Sequence, residues 1–162
     1  MVKIEFFRVL PVILLFIAVA FALSEKNHGW MLMVVGLVLN GLLWYIVSSW
    51  FMRYHHELAK RPQTSQCYFF HQKTLTSDNG MPSGHCQSAA FFGTWLVLMA
   101  IFYGVNIIWY LVTISIAAFI TVGMIWSRVK YYKCHNAMQA GVGTAIGCIT
   151  AFLLYPILLI LQ

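Results

Sequence analysis

The sequence is short of charge, and shortest of acid: four of its 162 residues are Asp or Glu, and charged side chains of both signs make up 9%. So little acid cannot solvate a globule of this size, which excludes an ordinary soluble domain. Cysteine is sparse as well, with Cys67, Cys86, Cys134 and Cys148 making up the 4 in the chain. Their positions show no paired metal-ligand spacing and two of them sit at or inside apolar runs, so neither a metal module nor a disulfide framework is expected. Internal repeats, low-complexity tracts and linkers are all lacking, which leaves one compact domain over residues 1–162.

Apolar side chains are what the chain has in excess, at 61% with a mean hydropathy of +0.79. The net charge of +6 would suit nucleic acid only if the basic residues covered a water-soluble face. They are gathered between apolar runs instead, so no nucleic-acid partner is expected.

Apolar runs of about 17 to 25 residues can cross a hydrocarbon core of roughly 30 Å as helices, and five are present. They cover Phe6 to Leu23, Trp30 to Met52, Cys86 to Tyr103, Val105 to Trp126 and Ala137 to Leu161. This predicts an all-α, multi-pass integral membrane bundle of about five transmembrane helices. The first run, with Lys3 and Arg8 at its start, also fits a signal anchor; no small-x-small cleavage site precedes Glu25, so it is kept in the mature protein.

Connections are uneven. Ser24 to Gly29 and the region of Gly104 are tight, whereas Arg53 to Gly84 is a polar excursion of a length that usually carries function. Ser127 to Asn136 is the other polar insertion. Five spans place both insertions and the N-terminus on one side, with Lys3, Arg8, Arg53, Lys60, Arg61, Lys73, Arg128, Lys130 and Lys133 there and Lys26 alone opposite. The positive-inside rule would make that side cytosolic, unless those residues are basic for the sake of a phosphate. Ser48, Ser49, Thr113, Ser115 and Thr121 read as helix-packing hydroxyls.

Three polar clusters stand at span ends on that same side. The first runs from Arg53 to Pro62. A helix continuing to the proline would put Arg53, His56 and Lys60 on one face, and Arg61 beside Pro62 would hold a guanidinium fork able to grip two phosphate oxygens. A basic membrane flank would look similar.

The second cluster, Asp78-Asn79-Gly80-Met81-Pro82-Ser83-Gly84-His85-Cys86-Gln87, is a turn feeding a helix N-terminus. Ser83, Gly84 and the first free N–H groups suit an anion, and His85 would stand beside it; a plain helix cap is the alternative. The third runs from Ser127 to Gln139. His135 and Gln139 are one helical turn apart, so Gln139 could accept a hydrogen bond from one imidazole nitrogen and leave the other as a nucleophile. Arg128 would add a second phosphate clamp.

In this order, Arg-Pro, then Pro-Ser-Gly-His, then Ser-Arg followed by His, the residues resemble the type 2 phosphatidic acid phosphatase superfamily from Arg53 to Gln139. That family's last motif usually ends His-x3-Asp. Gln139 in that place, the run Gly80-Met81-Pro82-Ser83…His85-x-Gln87 and the Phe91-Phe92 pair look like the dolichyl diphosphatase branch. The resemblance implies His135 as nucleophile and His85 as general acid. It also implies Arg61, Ser83, Gly84 and Arg128 as phosphate binders, with Arg53 or Lys60 standing in for the family's first-motif lysine, whose matching position is Tyr54.

Two further departures are visible: one extra residue separates Arg128 from His135, and five spans replace the family's usual six. The resemblance implies a metal-independent hydrolase acting on a lipid phosphate or diphosphate, foremost a polyprenyl diphosphate, in an endoplasmic-reticulum-type membrane. It needs no cofactor, since Glu57 and Asp78 are the polar loops' only acids. The alternatives are a phosphatidate or broad lipid phosphate phosphatase, and an inactive relative that binds anionic lipid. The last would need Arg61 and Arg128 but not His85 and His135.

Overall fold

The apolar runs become helices, and asparagine starts three of them. In the computed structural model, which describes residues 6–25, 27–62 and 79–161, the helices are α1 (Phe6–Glu25), α2 (His28–Tyr54), the single turn α3 (His56–Ala59), α4 (Gly84–Phe102), α5 (Ile107–Trp126) and α6 (Ala137–Ile160). Lys3, Lys26, Cys67, Lys73, Asp78 and the side chain of Arg8, all weighed above, lie outside the described residues. Asn27, Asn106 and Asn136 each precede a run and cap it, accepting from Gly29 N at 2.7 Å, Trp109 N at 3.1 Å and Gln139 N at 2.8 Å. Each cap satisfies an N–H that a helix start leaves without a partner in the chain.

Four helices are long and apolar enough to cross a membrane: α2, α4, α5 with the turn that follows it, and α6. The shorter apolar α1 joins them by burying Leu10, Leu14 and Ala18 in the common core. The bundle thus has the all-helical, roughly five-span form that the composition predicts.

α4 is the hub, packed on by α6, α5, α2 and α1, with Phe91 and Trp95 wholly buried along it. α5 is the reverse case, turning Ile107, Ile108, Trp109, Phe119 and Val122 outward. Such a face is stable against lipid tails and would not be against water.

Small residues set how near α6 comes to α4. A Cβ on Gly143 would run into the backbone of Ser83, and one on Gly147 into the Gln87 carbonyl. Glycine at both positions lets two backbones touch, which is how membrane helices gain close packing without a hydrophobic driving force. The seam presses the start of α4 against the start of α6, where Ser83 N donates to Gln139 O at 3.1 Å.

Two expectations need correction. The chain is not helical down to Pro62: α2 ends at Tyr54, His55 takes φ −140° and ψ 50°, and the single turn α3 ends at Ala59. Arg53, His56 and Lys60 therefore do not share one helical face. Cys134 is disulfide-bonded, although a disulfide framework is not expected; spacing along a chain says nothing about which thiols a fold brings together.

Candidate active site

Polar residues of α2 suspend the turn before α4. Asn79 donates through Nδ2 to Ser48 O at 2.8 Å and to Ser48 Oγ, while its Oδ1 accepts from Met81 N at 3.2 Å. Trp44 Nε1 donates to Pro82 O at 3.0 Å. Ser48 is therefore more than a packing hydroxyl. One strand-like contact then joins the first cluster to the second: Lys60 and Asn79 form an antiparallel bridge, Gly80 N donates to Ala59 O at 2.6 Å, and Arg61 Nε donates to Asn79 O at 2.8 Å.

This places Ser83, fully buried, as the N-cap of α4. Its hydroxyl caps no backbone N–H and, beyond a weak interaction with the Cys86 thiol, has no hydrogen-bond partner among the described residues. A buried hydroxyl in that state is unusual in a folded protein and suits a bound anion at the helix start. Gly84 and the half-buried His85 form the first turn of α4 behind it.

The third cluster begins with a π-helical turn, Ser127–Tyr131, continuing α5. A π turn holds one residue more than an α turn, and it commonly marks an insertion at a functional site. It falls where the motif has its extra residue. Lys133 then adopts φ 52°, the left-handed region, and the chain folds back so that Cys134 N and His135 N both donate to Arg128 O, at 2.9 and 3.3 Å. Arg128 and His135 both end up buried, 1% and 4% exposed, with the Arg128 guanidinium 5.6 Å from the Tyr132 ring centre.

His135 is held by a backbone group. Its Nδ1 lies 2.9 Å from Gly80 O, and because a carbonyl only accepts, Nδ1 carries the hydrogen and Nε2 the lone pair. Burial first, then the positive charges of Arg61 and Arg128, push its pKa down from 6.5 to about 3, against smaller opposing effects of Gly80 and Gln139. The imidazole is thus neutral at neutral pH.

That depression has a sign for stability. Below pH 6.5 the unfolded chain protonates this histidine while the folded site stays neutral down to about 3. The contribution of His135 is therefore whole above 6.5 and is lost on acidification, by about 1.4 kcal/mol per pH unit across the window. Thermal unfolding in detergent between about pH 7 and pH 4 should show this slope, and His135→Gln should flatten it.

Gln139, expected to accept from His135, does bear on that imidazole through its side chain, and it makes further hydrogen bonds elsewhere. Its Nε2 donates to Leu58 O at 3.0 Å and Lys60 O at 2.9 Å, and its Oε1 accepts from Asn136 N at 3.2 Å. The ring nitrogen's bond goes to Gly80. Lys60 enters through its carbonyl while its side chain is exposed, and Arg53 is exposed at the end of α2. Arg61, Ser83, Gly84, His85, Arg128, His135 and Gln139 are gathered at one end of the bundle.

Sequence reasoning missed Trp44, Asn79, Asn136 and the carbonyl of Gly80. Only Asn136 left a signal: an Asn three residues before a Gln, ahead of an apolar run, marks a capping box, and the reciprocal pair is formed. Among the described residues no group of three or more His, Cys, Asp or Glu converges as a metal site requires.

Residues 53–160 match the model of the PAP2 superfamily, which takes in all three clusters and the helices from α3 to α6. No curated protein and no solved structure matches the chain. The match spans most of the sequence and its ends enclose the site just described, so the chain belongs to the PAP2 superfamily, whose members are phosphatases.

Proposed function

We propose that the chain is a membrane-embedded lipid phosphatase that hydrolyses an isoprenoid diphosphate through a phosphohistidine. The observation that carries this is the neutral, buried His135, its Nδ1–H on Gly80 O and its charge opposed by Arg61 and Arg128.

A terminal phosphate held by Arg61, Arg128, Ser83 and the N-terminus of α4 presents its phosphorus to Nε2. The Nε2 lone pair forms the N–P bond while the P–O bond to the leaving group breaks, and His85 gives its proton to the departing oxygen. For a diphosphate, that oxygen belongs to the isoprenoid monophosphate. His85 next takes a proton from water, whose oxygen attacks the phosphorus; the N–P bond breaks and inorganic phosphate leaves. The arginines stabilise charge spreading over the equatorial oxygens, and the Gly80 carbonyl dipole stabilises the phosphorylated imidazolium. Dolichyl or another polyprenyl diphosphate, in an endoplasmic-reticulum-type membrane, follows from the motif details shared with the dolichyl diphosphatase branch.

The test is phosphate release by purified protein in detergent from isoprenoid diphosphate, isoprenoid monophosphate and phosphatidate, each with and without EDTA. Isoprenoid diphosphate should give a kcat/KM about tenfold or more above the others, unchanged by EDTA. A preference for phosphatidate would assign the broader lipid phosphate reading, loss in EDTA would overturn the metal-free step, and no release at all would leave only lipid binding.

A further inference from the structure

The residue four places after His135 is a neutral amide, Gln139. Gln139 is 1% exposed, and every polar atom of its side chain is engaged. Both amide hydrogens go to carbonyls of the segment leading into Arg61. The amide oxygen takes Asn136 N, next to His135, and the backbone oxygen takes Ser83 N. One residue thereby ties the first, second and third clusters together, while Gly80 lies so near that a Cβ there would meet Gln139 Oε1 at 2.8 Å.

We infer that Gln139 is a positioning residue that works as a donor: its amide holds the Leu58–Lys60 carbonyls so that Gly80, bonded to Ala59 and lying between that segment and Gln139, presents its carbonyl to His135. The backbone carbonyl of Gly80 then serves as the nucleophile's hydrogen-bond acceptor. This inference rests on the phosphatase reading for its kinetic consequence, but not for its structural one.

A carboxylate at 139 has no hydrogen to donate, and it would face two partly buried carbonyl oxygens. If Gln139 acted instead as a direct partner of the imidazolium, a carboxylate would match it or improve on it, since a charge stabilises a cation more than a dipole does.

Gln139→Glu, the isosteric change, and Gln139→Asp decide between these. Both are expected to lower kcat on isoprenoid diphosphate about a hundredfold, the cost of a displaced reacting group, with KM within about threefold. Unchanged or raised kcat in either variant would overturn the inference. A readout without substrate separates its failure from that of the phosphatase reading: ¹⁵N-histidine NMR of the protein in detergent near neutral pH, with His135 assigned by its loss in His135→Gln. The wild type should show the Nδ1–H tautomer, and Gln139→Glu should lose it. An intact Nδ1–H signal in Gln139→Glu would sink the inference even in a protein that hydrolyses nothing.

Discussion

Replacing His135 with alanine is expected to reduce phosphate release by about a thousandfold or more, to the level of the reaction without enzyme, because it removes the proposed nucleophile. His85 sits on α4 and serves as the proton donor of the same scheme. The substitution leaves the binding of charge intact, since Arg61, Ser83 and Arg128 remain, so substrate should still associate with the variant. The structural cost is a vacated space and a Gly80 carbonyl without its donor, on the order of 1–3 kcal/mol, and the capping box of Asn136 and Gln139 that starts α6 is untouched. A folded, lipid-binding, inactive protein is therefore the expected outcome. Rapid quenching should trap acid-labile, base-stable phosphate on the wild type and none on the variant. Turnover retained by purified His135→Ala would refute the nucleophile assignment.

Gly143→Val is expected to prevent the bundle from assembling. The added carbon would enter the backbone of Ser83; backbone cannot turn aside as a side chain does, so the strain exceeds the roughly 1–3 kcal/mol typical of an overpacked core. Gly143→Ala meets the same backbone with a single carbon. It should leave a foldable protein whose α4 start is pushed off α6, breaking the bond from Ser83 N to Gln139 O and lowering kcat/KM about tenfold or more. Gly141, also on α6, has open space where its Cβ would be, so Gly141→Ala should be neutral in yield, unfolding temperature and activity. Equal behaviour of Gly141→Ala and Gly143→Ala would show that the seam does not control the site.

The bundle was legible because membrane spans are written in composition: a run of hydrocarbon side chains long enough to cross has few other destinations. The turn into α4 was legible for a local reason, since Pro82, Ser83 and Gly84 can hardly continue a helix but readily begin one. The break at His55 was not, because no glycine or proline interrupts the chain there; the segment turns to meet Asn79 and Gly80, far along the sequence. The acceptor for His135 was hidden for a different reason. A main-chain carbonyl has no letter, so a reading built on side chains names Gln139, which does bear on the imidazole, and misses Gly80. Gln139 bears on His135 through its side chain even though α6 starts at Ala137 and leaves the histidine just outside the helix.

The π turn between Trp126 and Tyr132 changes what a motif spacing means. A pattern that requires a fixed number of letters between the arginine and the histidine would reject this chain, yet the wider turn and the left-handed Lys133 take up the additional letter and bury both side chains at the same end of the bundle. Relatives with insertions in this stretch are therefore better recognised by whether a π turn can absorb the surplus than by counting residues.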